Sequence, residues 1–432
     1  MTRMKTLLCP LVLAVAAVNA QAQEDISELG GLWAMSLEEL GQIRLTTLAS
    51  GTATPLDKAA AIVTVVTDDD IKAMGATDLD EILETIPGIH VGRHDQTLYP
   101  KYIMRGVTSQ HNPQILVLIN GVPISSLFSG SRSQVWGGMP VSSIARVEVI
   151  RGPGSSLYGA DAFAGVINII TKNRKDIPET VVGVRAGSFD TQSYWMETAT
   201  SYDSGLDIGV SGEYKTTKGW RGDVPSDVQT MLDGLFGSSA SRAPGKLATG
   251  VDSAEFRLDM AYGDLRFRAG YQGRYDLQLG PGLSQALDPN GAYDSHRANT
   301  DITYKLKDVL PKLDIETRTS YYYNTQEVAG NPQLFPPGTA WPDLSNPGEL
   351  AVFSDGIFGT PEFREEQARI DINGNYRGFD AHIIRAGTGF FWGDIYETRE
   401  KKNFDIIFTP AGQLLQPKSE GLIDVTDTAE VY

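Results

Sequence analysis

The 432-residue chain carries a formal net charge of −17, one cysteine and five histidines. So acidic a balance argues against nucleic-acid binding, which needs a basic face. No segment beyond the N-terminus is apolar for the roughly 18 residues that a membrane helix requires, so a helical membrane protein is excluded as well.

Residues 1–22 read as a secretory signal. Arg3 and Lys5 supply the basic start, Leu7 to Val18 a short apolar run, and Val18-Asn19-Ala20 or Ala20-Gln21-Ala22 a small-residue cleavage site. Cys9 lies early in the apolar run and would leave with the signal, so the mature protein is expected to hold no disulfide. Residues 23–54 read as an arm. In it, Ser36 and Glu39 have capping-box spacing, and Ile43 to Ser50 is an extended-looking, β-branched segment.

Residues 55–172 read as a small α/β domain. Strands are expected at Ala61–Thr67, Tyr102–Arg105, Ile115–Ile119 and Arg146–Ile150. Helical segments are expected at Asp68–Met74 and Thr77–Leu83, the second ended by Pro87-Gly88. The most informative stretch is Ile144 to Lys172, a strand, a glycine loop and a strand. Gly154 and Gly159 have P-loop spacing, but Ala160 and Asp161 stand where the Lys and the Ser/Thr of a phosphate site must be. Leu157 occupies the third glycine position of a dinucleotide loop. With nucleotide binding set aside, these glycines are expected to serve tight turns and close backbone approach.

From about residue 180 to 432 the pattern is period-2 alternation in segments of about ten residues. Leu206, Ile208, Val210 and Tyr214 alternate with Asp207, Ser211, Glu213 and Lys215, and similar series start at Leu265, Leu313 and Ala368. Short turns near 203–205, 263–264, 307–311 and 377–379 separate long connections at about 216–249, 276–294, 324–361 and 394–426. Apolar and charged faces joined by alternating short and long links suit a transmembrane antiparallel barrel. About nine strands are expected, with Asp427 to Tyr432 opening a tenth.

Ile144 to Lys172 closely resembles the end of the plug domain of TonB-dependent outer-membrane receptors. Three earlier motifs agree in order: Leu83 to Val91, Met104-Arg105-Gly106-Val107, and Leu118 to Pro123 with Asn120 for the usual Asp. The resemblance implies a membrane all-β barrel around an N-terminal α/β plug. The family uses 22 strands, so the chain reads as truncated within the barrel. A small barrel ending on Tyr432 is the alternative.

The resemblance also implies functional positions. Ile43, Arg44, Leu45, Thr46, Thr47 and Leu48 stand where the family holds its TonB box. That peptide pairs by strand addition with TonB, which ExbB and ExbD energise; an ordinary linker strand is the other reading. Arg105 and Arg151, with Glu148, match positions that latch the plug to barrel glutamates. Arginine suits that task because its fork binds carboxylates bidentately. Ligand contacts are implied at the plug apices, at Arg93, Gln96, Tyr99, Gln110, His111, Phe128, Arg132 and Trp136, with Phe335 and Trp341 from barrel loops. No catalytic constellation, metal site or cofactor motif stands out. The implied function is active import of a scarce, bulky ligand across the outer membrane. A ferric siderophore leads; cobalamin, haem, oligosaccharide, or a passive porin or adhesin barrel are the alternatives.

Overall fold

The computed structural model describes residues 45–46, 54–55, 61–94, 98–109, 111–130, 138–154, 158, 160–343, 346, 348–379, 382–409, 412–418 and 423–431. The expected signal segment and the Ser36 turn lie outside them. Of the expected TonB box only Leu45–Thr46 is described, as a two-residue strand antiparallel to Thr54–Pro55.

The N-terminal unit is built from strands β1 (Val63–Thr67), β2 (Ile89–Arg93), β3 (Pro100–Met104), β4 (Ile115–Ile119), β5 (Val122–Pro123), β6 (Ile144–Arg151) and β7 (Gly165–Thr171). Helices α1 (Asp68–Met74) and α2 (Leu79–Glu84) lie between β1 and β2. The sheet order is β1-β6-β7-β4-β5, with β4 parallel to β7 and β2 paired only to β3. Thr67 starts α1 with a capping box to Asp70, and Gly75 ends it in the left-handed region. Asp78 caps α2 by accepting the Glu81 amide at 3.2 Å.

The core of this unit is apolar. Ile71, Leu79, Ile82 and Leu83 from the helices close on Val117, Ile119, Val147, Val149, Ile167 and Ile169 of the sheet. Strand β4 is buried along its whole length, which is why Ile115 to Ile119 is a continuous apolar run rather than an alternating one. Asn120 and Gly121 turn β4 into β5, both at positive φ, as a two-residue hairpin requires. The Asn120 side chain is tied on both sides: it donates to Thr171 Oγ1 at 2.9 Å and accepts the Thr171 amide at 3.0 Å. The glycine stretch behaves as expected at two positions. A Cβ on Gly165 would lie 2.1 Å from Met104 Sδ and 2.5 Å from the Ile150 carbonyl, and one on Gly154 would lie 2.7 Å from Val166 Cγ2.

The second unit is one ten-stranded antiparallel sheet in sequential order. Its strands are β8 (Val181–Gly187), β9 (Thr191–Ser201), β10 (Leu206–Thr217), β11 (Val251–Tyr262), β12 (Leu265–Gln278), β13 (Gly291–Leu310), β14 (Leu313–Gly330), β15 (Gly359–Tyr376), β16 (Ile384–Lys402) and β17 (Ile423–Val431). The expected strand count holds, but eight of the ten strands are longer than the expected ten residues. Strand β13 has 20 residues and β16 has 19, about twice what crosses a bilayer. Strand β13 overshoots at both ends, Lys305 to Leu310 running past Tyr304 on the short-turn side. The alternation of short and long links also fails once: Ser188 to Asp190 joins β8 to β9 at the same end as the long loops, where the Lys218 amide donates to the Phe189 carbonyl.

This sheet inverts the polarity of a soluble protein. Ser253, Glu255, Arg257 and Asp259 of β11 are buried, while Phe256 between them is exposed. Ile302, Tyr304, Ile370, Ile372 and Phe390 are likewise exposed, whereas Asp301, Thr303, Glu365 and Gln367 are buried. Outward Tyr271 is hydrogen-bonded at 2.8 Å to both Tyr275 and His296, while Tyr262 and Tyr304 mark the other border of the apolar band. Aromatic residues at both borders of an outward apolar band are the mark of a lipid-facing barrel wall. No described helix is long and apolar enough to cross a membrane.

The long connections are not open coil. Helix α3 (Val228–Phe236) and the hairpins Thr339–Pro342 with Leu350–Phe353 and Phe404–Thr409 with Gly412–Pro417 fold in them. Leu232, Ala286, Phe335, Phe353, Ile357 and Phe404 form a separate apolar core that ties these loops together.

Candidate functional site

The N-terminal unit sits against the polar face of the ten-stranded sheet, and hydrogen bonds and ion pairs tie the seam between them at several points. Lys172, the first residue past β7, is almost fully buried. Its Nζ lies 2.7 Å from Glu197 Oε2 of β9 and 3.4 Å from Asp68 Oδ1 of α1. One ammonium therefore joins the start and the end of the inner unit to the wall. Farther along, Glu365 of β15 accepts from Ser126 Oγ at 3.1 Å, from the Phe128 amide at 2.9 Å and from Asn324 Nδ2 at 2.8 Å. Gln367 Nε2 donates to the Ser125 carbonyl at 2.6 Å, and Phe128 stacks on Phe363 at 4.8 Å. Tyr322 of β14 enters the core of the inner unit.

Between these ties the seam opens into a cavity of about 530 Å³ at the long-loop end of the sheet. From the inner unit, Asp78, Asp80, Arg93, Leu98, Tyr99, Pro100 and Gly138 line it. From the wall and its loops come Lys215, Gly219, Trp220, Thr249, Val251, Arg274, Leu277 and Gln278. Apolar walls with a few polar groups are what a small-molecule site needs. Lys215 Nζ reaches across to Asp78 Oδ2 at 3.9 Å, and Arg274 Nη2 donates to the Gly138 carbonyl at 3.2 Å.

Asp80 is the unusual group. Tyr102 donates to its Oδ1 at 3.0 Å, and Arg93 Nη1 lies 3.7 Å from its Oδ2. Burial pushes its carboxyl up to about 7, and the neighbouring Asp78 charge adds to the rise; Arg93, the Tyr102 hydrogen bond and Arg274 oppose it. Asp78 is also raised, first by burial, with Lys215 pulling the other way. The Tyr99 hydroxyl is buried with no hydrogen-bond partner among the described residues.

The sequence-expected residues fall in several places. Arg93 and Tyr99 line the seam cavity. Phe128 lies apart, in the Phe363 stack. His111 is half-buried in the loop before β4. Gln96, Gln110, Arg132 and Trp136 lie outside the described residues. Phe335 and Trp341 pack in and against the loop core rather than lining the cavity.

Among the described residues, the expected latch arginines meet no glutamate of the ten wall strands. Arg151 Nη1 donates at 2.9 Å to the Pro87 carbonyl, within the inner unit. Glu148 is fully buried in β6 and pairs with Arg146 at 2.8 Å. Arg105 is exposed at positive φ, its guanidinium beside Gly152, and no carboxylate lies within ion-pair distance of it among the described residues. The described ties to the wall are made instead by Lys172, Asp78, Ser125, Ser126 and the Phe128 amide. Sequence reasoning missed Lys172, although it closes the motif that was read most closely. It also missed Asp78 and Asp80, which look like ordinary helix-start acids.

A sheet with its polar face turned to an α/β unit and its apolar face turned outward defines a plugged transmembrane-barrel type of protein. Residues 55–166 match the TonB-dependent Receptor Plug Domain. The chain is 34% identical over 171 residues to the vitamin B12 transporter BtuB of Vibrio vulnificus, a match covering 38% of the chain and 27% of the transporter. The fold is similar to that of the ferric citrate transporter FecA, at a TM-score of 0.58 and 14% identity, over 90% of this chain and 57% of that one. It is also similar to the siderophore receptor PirA of Acinetobacter baumannii, at 0.54 and 20%, over 79% and 48%. The chain therefore spans about a quarter of the curated relative and about half of these solved structures. Residues 55–166 thus match a TonB-dependent receptor plug domain, and the chain as a whole shares the fold of part of these solved structures.

Proposed function

We propose that this chain acts in TonB-dependent import of a scarce, bulky ligand across an outer membrane, with a ferric siderophore as the leading ligand. The observation that carries the reading is the plug seated on the polar face of a lipid-facing sheet, with a lined cavity at their seam. A passive pore has no use for a folded unit hydrogen-bonded into its lumen.

In this reading residues 1–22 export the chain and the outward apolar band meets outer-membrane lipid. Ile43 to Leu48 offer a strand to TonB, driven by ExbB and ExbD. Strand addition draws its affinity from main-chain hydrogen bonds, which suits a short segment with loose side-chain demands. Arg93 and Tyr99 belong to the ligand side, with Gln96, Gln110, His111, Phe128, Arg132 and Trp136 at the neighbouring apices. Arg105, Arg151 and Glu148 are the proposed latch of the plug to barrel carboxylates, Arg151 and Glu148 also bracing it internally through the Pro87 carbonyl and Arg146. Cobalamin is the second reading, favoured by the 34% identity to a vitamin B12 transporter.

The test is growth of a host lacking its own receptors on a panel of ferric chelates and on cobalamin, with the full chain and with residues 43–50 deleted. Uptake of at least one ligand that depends on the deleted segment is expected. Uptake that survives the deletion contradicts energised import.

A further inference from the structure

We propose that the four long loops fold as one rigid cap, which rests on the inner unit at Leu98–Tyr99 and responds to it as a whole. The inference goes beyond the import reading: it concerns how the outer end of the wall moves, whatever the chain carries.

The four loops are the connections 218–250, 279–290, 331–358 and 403–422. The shortest, 279–290, is the hub. Its Asp288 is buried; Oδ1 lies 3.2 Å from Arg242 Nη1 of the first loop, and Oδ2 accepts the Gln333 amide of the third at 2.8 Å. Beside it the Leu287 amide donates to Asp227 Oδ2 at 2.8 Å, and the Gln285 carbonyl accepts the Val228 amide at 3.0 Å. Helix α3 of the first loop therefore has its start pinned by the second. The first and third loops meet directly, where Thr339 Oγ1 donates to Oε1 of the fully buried Gln229 at 2.8 Å. The third and fourth meet at two places. Asn403 accepts the Phe358 amide at 3.0 Å and donates to the Gly356 carbonyl at 2.8 Å, and Gln416 Nε2 donates to the Pro342 carbonyl at 2.6 Å. Leu232, Ala286, Phe335 and Phe404 bring one apolar residue from each loop into the shared core.

Segments that share a core and bury their polar links open together, as one cooperative unit. A loop closing alone would strip Asp288 or Gln229 of its partner, and an unpaired buried polar group is costly. The cap is therefore stiff inside, and motion is left to its seat. There, Tyr99 of the inner unit is buried against Leu279 and Tyr293. Gly280, at positive φ, lies directly on Leu98: a Cβ there would stand 2.8 Å from Leu98 Cδ1. Leu279 and Gly280 open the hub loop, so a shift of the Leu98–Tyr99 apex reaches the segment on which the first and third loops are pinned.

The experiment is hydrogen exchange on the full chain in detergent micelles. In the parent, the amides of α3 and of the two loop hairpins should be protected to a common level. Asp288→Ala should speed all of them about tenfold, as loss of buried hydrogen bonds to a charged group does. That includes the hairpin 404–417, which Asp288 does not bond among the described residues. Gln416→Ala is the milder variant and should speed α3, two loops away, about threefold. Tyr99→Ala should speed the whole set by one factor. The proposal is overturned if α3 of the parent exchanges like an unstructured peptide, if either loop variant speeds only the loops it touches, or if the effect of Tyr99→Ala stops at residues 277–293. Should Asp288→Ala fail to fold, Gln416→Ala decides alone. Exchange is read without transport, so its failure leaves the import reading standing, and uptake that survives deletion of residues 43–50 leaves the cap standing.

Discussion

The inner unit and the ten-stranded sheet use the same alternating strands for opposite ends. In the inner unit, Val147, Val149, Ile167 and Ile169 point into a dry core, as in any soluble domain. In the sheet, Glu255, Arg257 and Asp259 point inward and Phe256 points out. Period 2 says only that two faces differ; what lies against each face decides which is apolar. The seam is where the two schemes meet, so charged and hydrogen-bonded contacts stand beside a few apolar ones, Tyr322 in the inner core, Phe128 on Phe363, and Tyr99 with Leu279 and Tyr293.

The largest effect should come from breaking the buried triad of the seam. Lys172→Met leaves the nearly buried Glu197 without its partner, while Asp68 keeps Lys72 at 2.6 Å; removing one partner of a buried pair costs about 3–5 kcal/mol. Faster hydrogen exchange of the β1 and β7 amides, with little change in β11 to β14, is the expected readout. Second comes the lipid face. Ile302→Lys should lower assembly of the folded sheet by about 2–4 kcal/mol, the depth-dependent cost of a cation against hydrocarbon. The same change at the inward neighbour Thr303 should cost much less, as gel-mobility folding assays in lipid vesicles would show.

Within the inner unit, Gly165→Ala drives a methyl against Met104 and the Ile150 carbonyl, an overpacking cost of about 1–3 kcal/mol. Denaturant unfolding followed by proteolysis should show the inner unit opening earlier while the sheet persists. Smaller still, Phe128→Ala loses the stack on Phe363, about 0.5–1.5 kcal/mol beyond the area buried. Asp80 adds a pH term. Its folded value is raised above that of the unfolded chain, so stability should fall as pH rises from about 4 to about 7. Thermal unfolding of Asp80→Asn should lack that slope.

The fold was legible in the sequence where pattern and environment coincide. The strand, helix and turn order of the inner unit and the ten wall strands could be read from alternation, caps and turns. Strand ends could not: at the short-turn end of β13 both faces are exposed and the alternation fades, while at its long-loop end Gly291 to Tyr293 are buried on both faces. The short Ser188–Asp190 link escaped because the alternation of link lengths is a tendency of such barrels and not a geometric necessity. Arg93 and Tyr99, expected on the ligand side, line the seam cavity; Lys215, Trp220 and Arg274, which line it too, were not expected there. Nothing local marks a wall residue that faces a cavity, since its neighbours come from a unit more than one hundred residues away in the chain. Lys172 was hidden in plain view, because a lysine after a strand usually reads as a solvated end.

The central claim is that the sheet is a membrane wall whose polar face holds the plug. Single-cysteine labelling along β11 in outer-membrane vesicles tests it most directly, because the chain has only Cys9 to remove. Cysteines placed at Ala254, Phe256, Leu258 and Met260 should react with a lipid-soluble maleimide and resist a water-soluble one. Those at Ser253, Glu255 and Asp259 should resist both until the inner unit is unfolded by denaturant. Equal reaction of both sets with the water-soluble reagent would show a sheet in water on both faces and contradict the account.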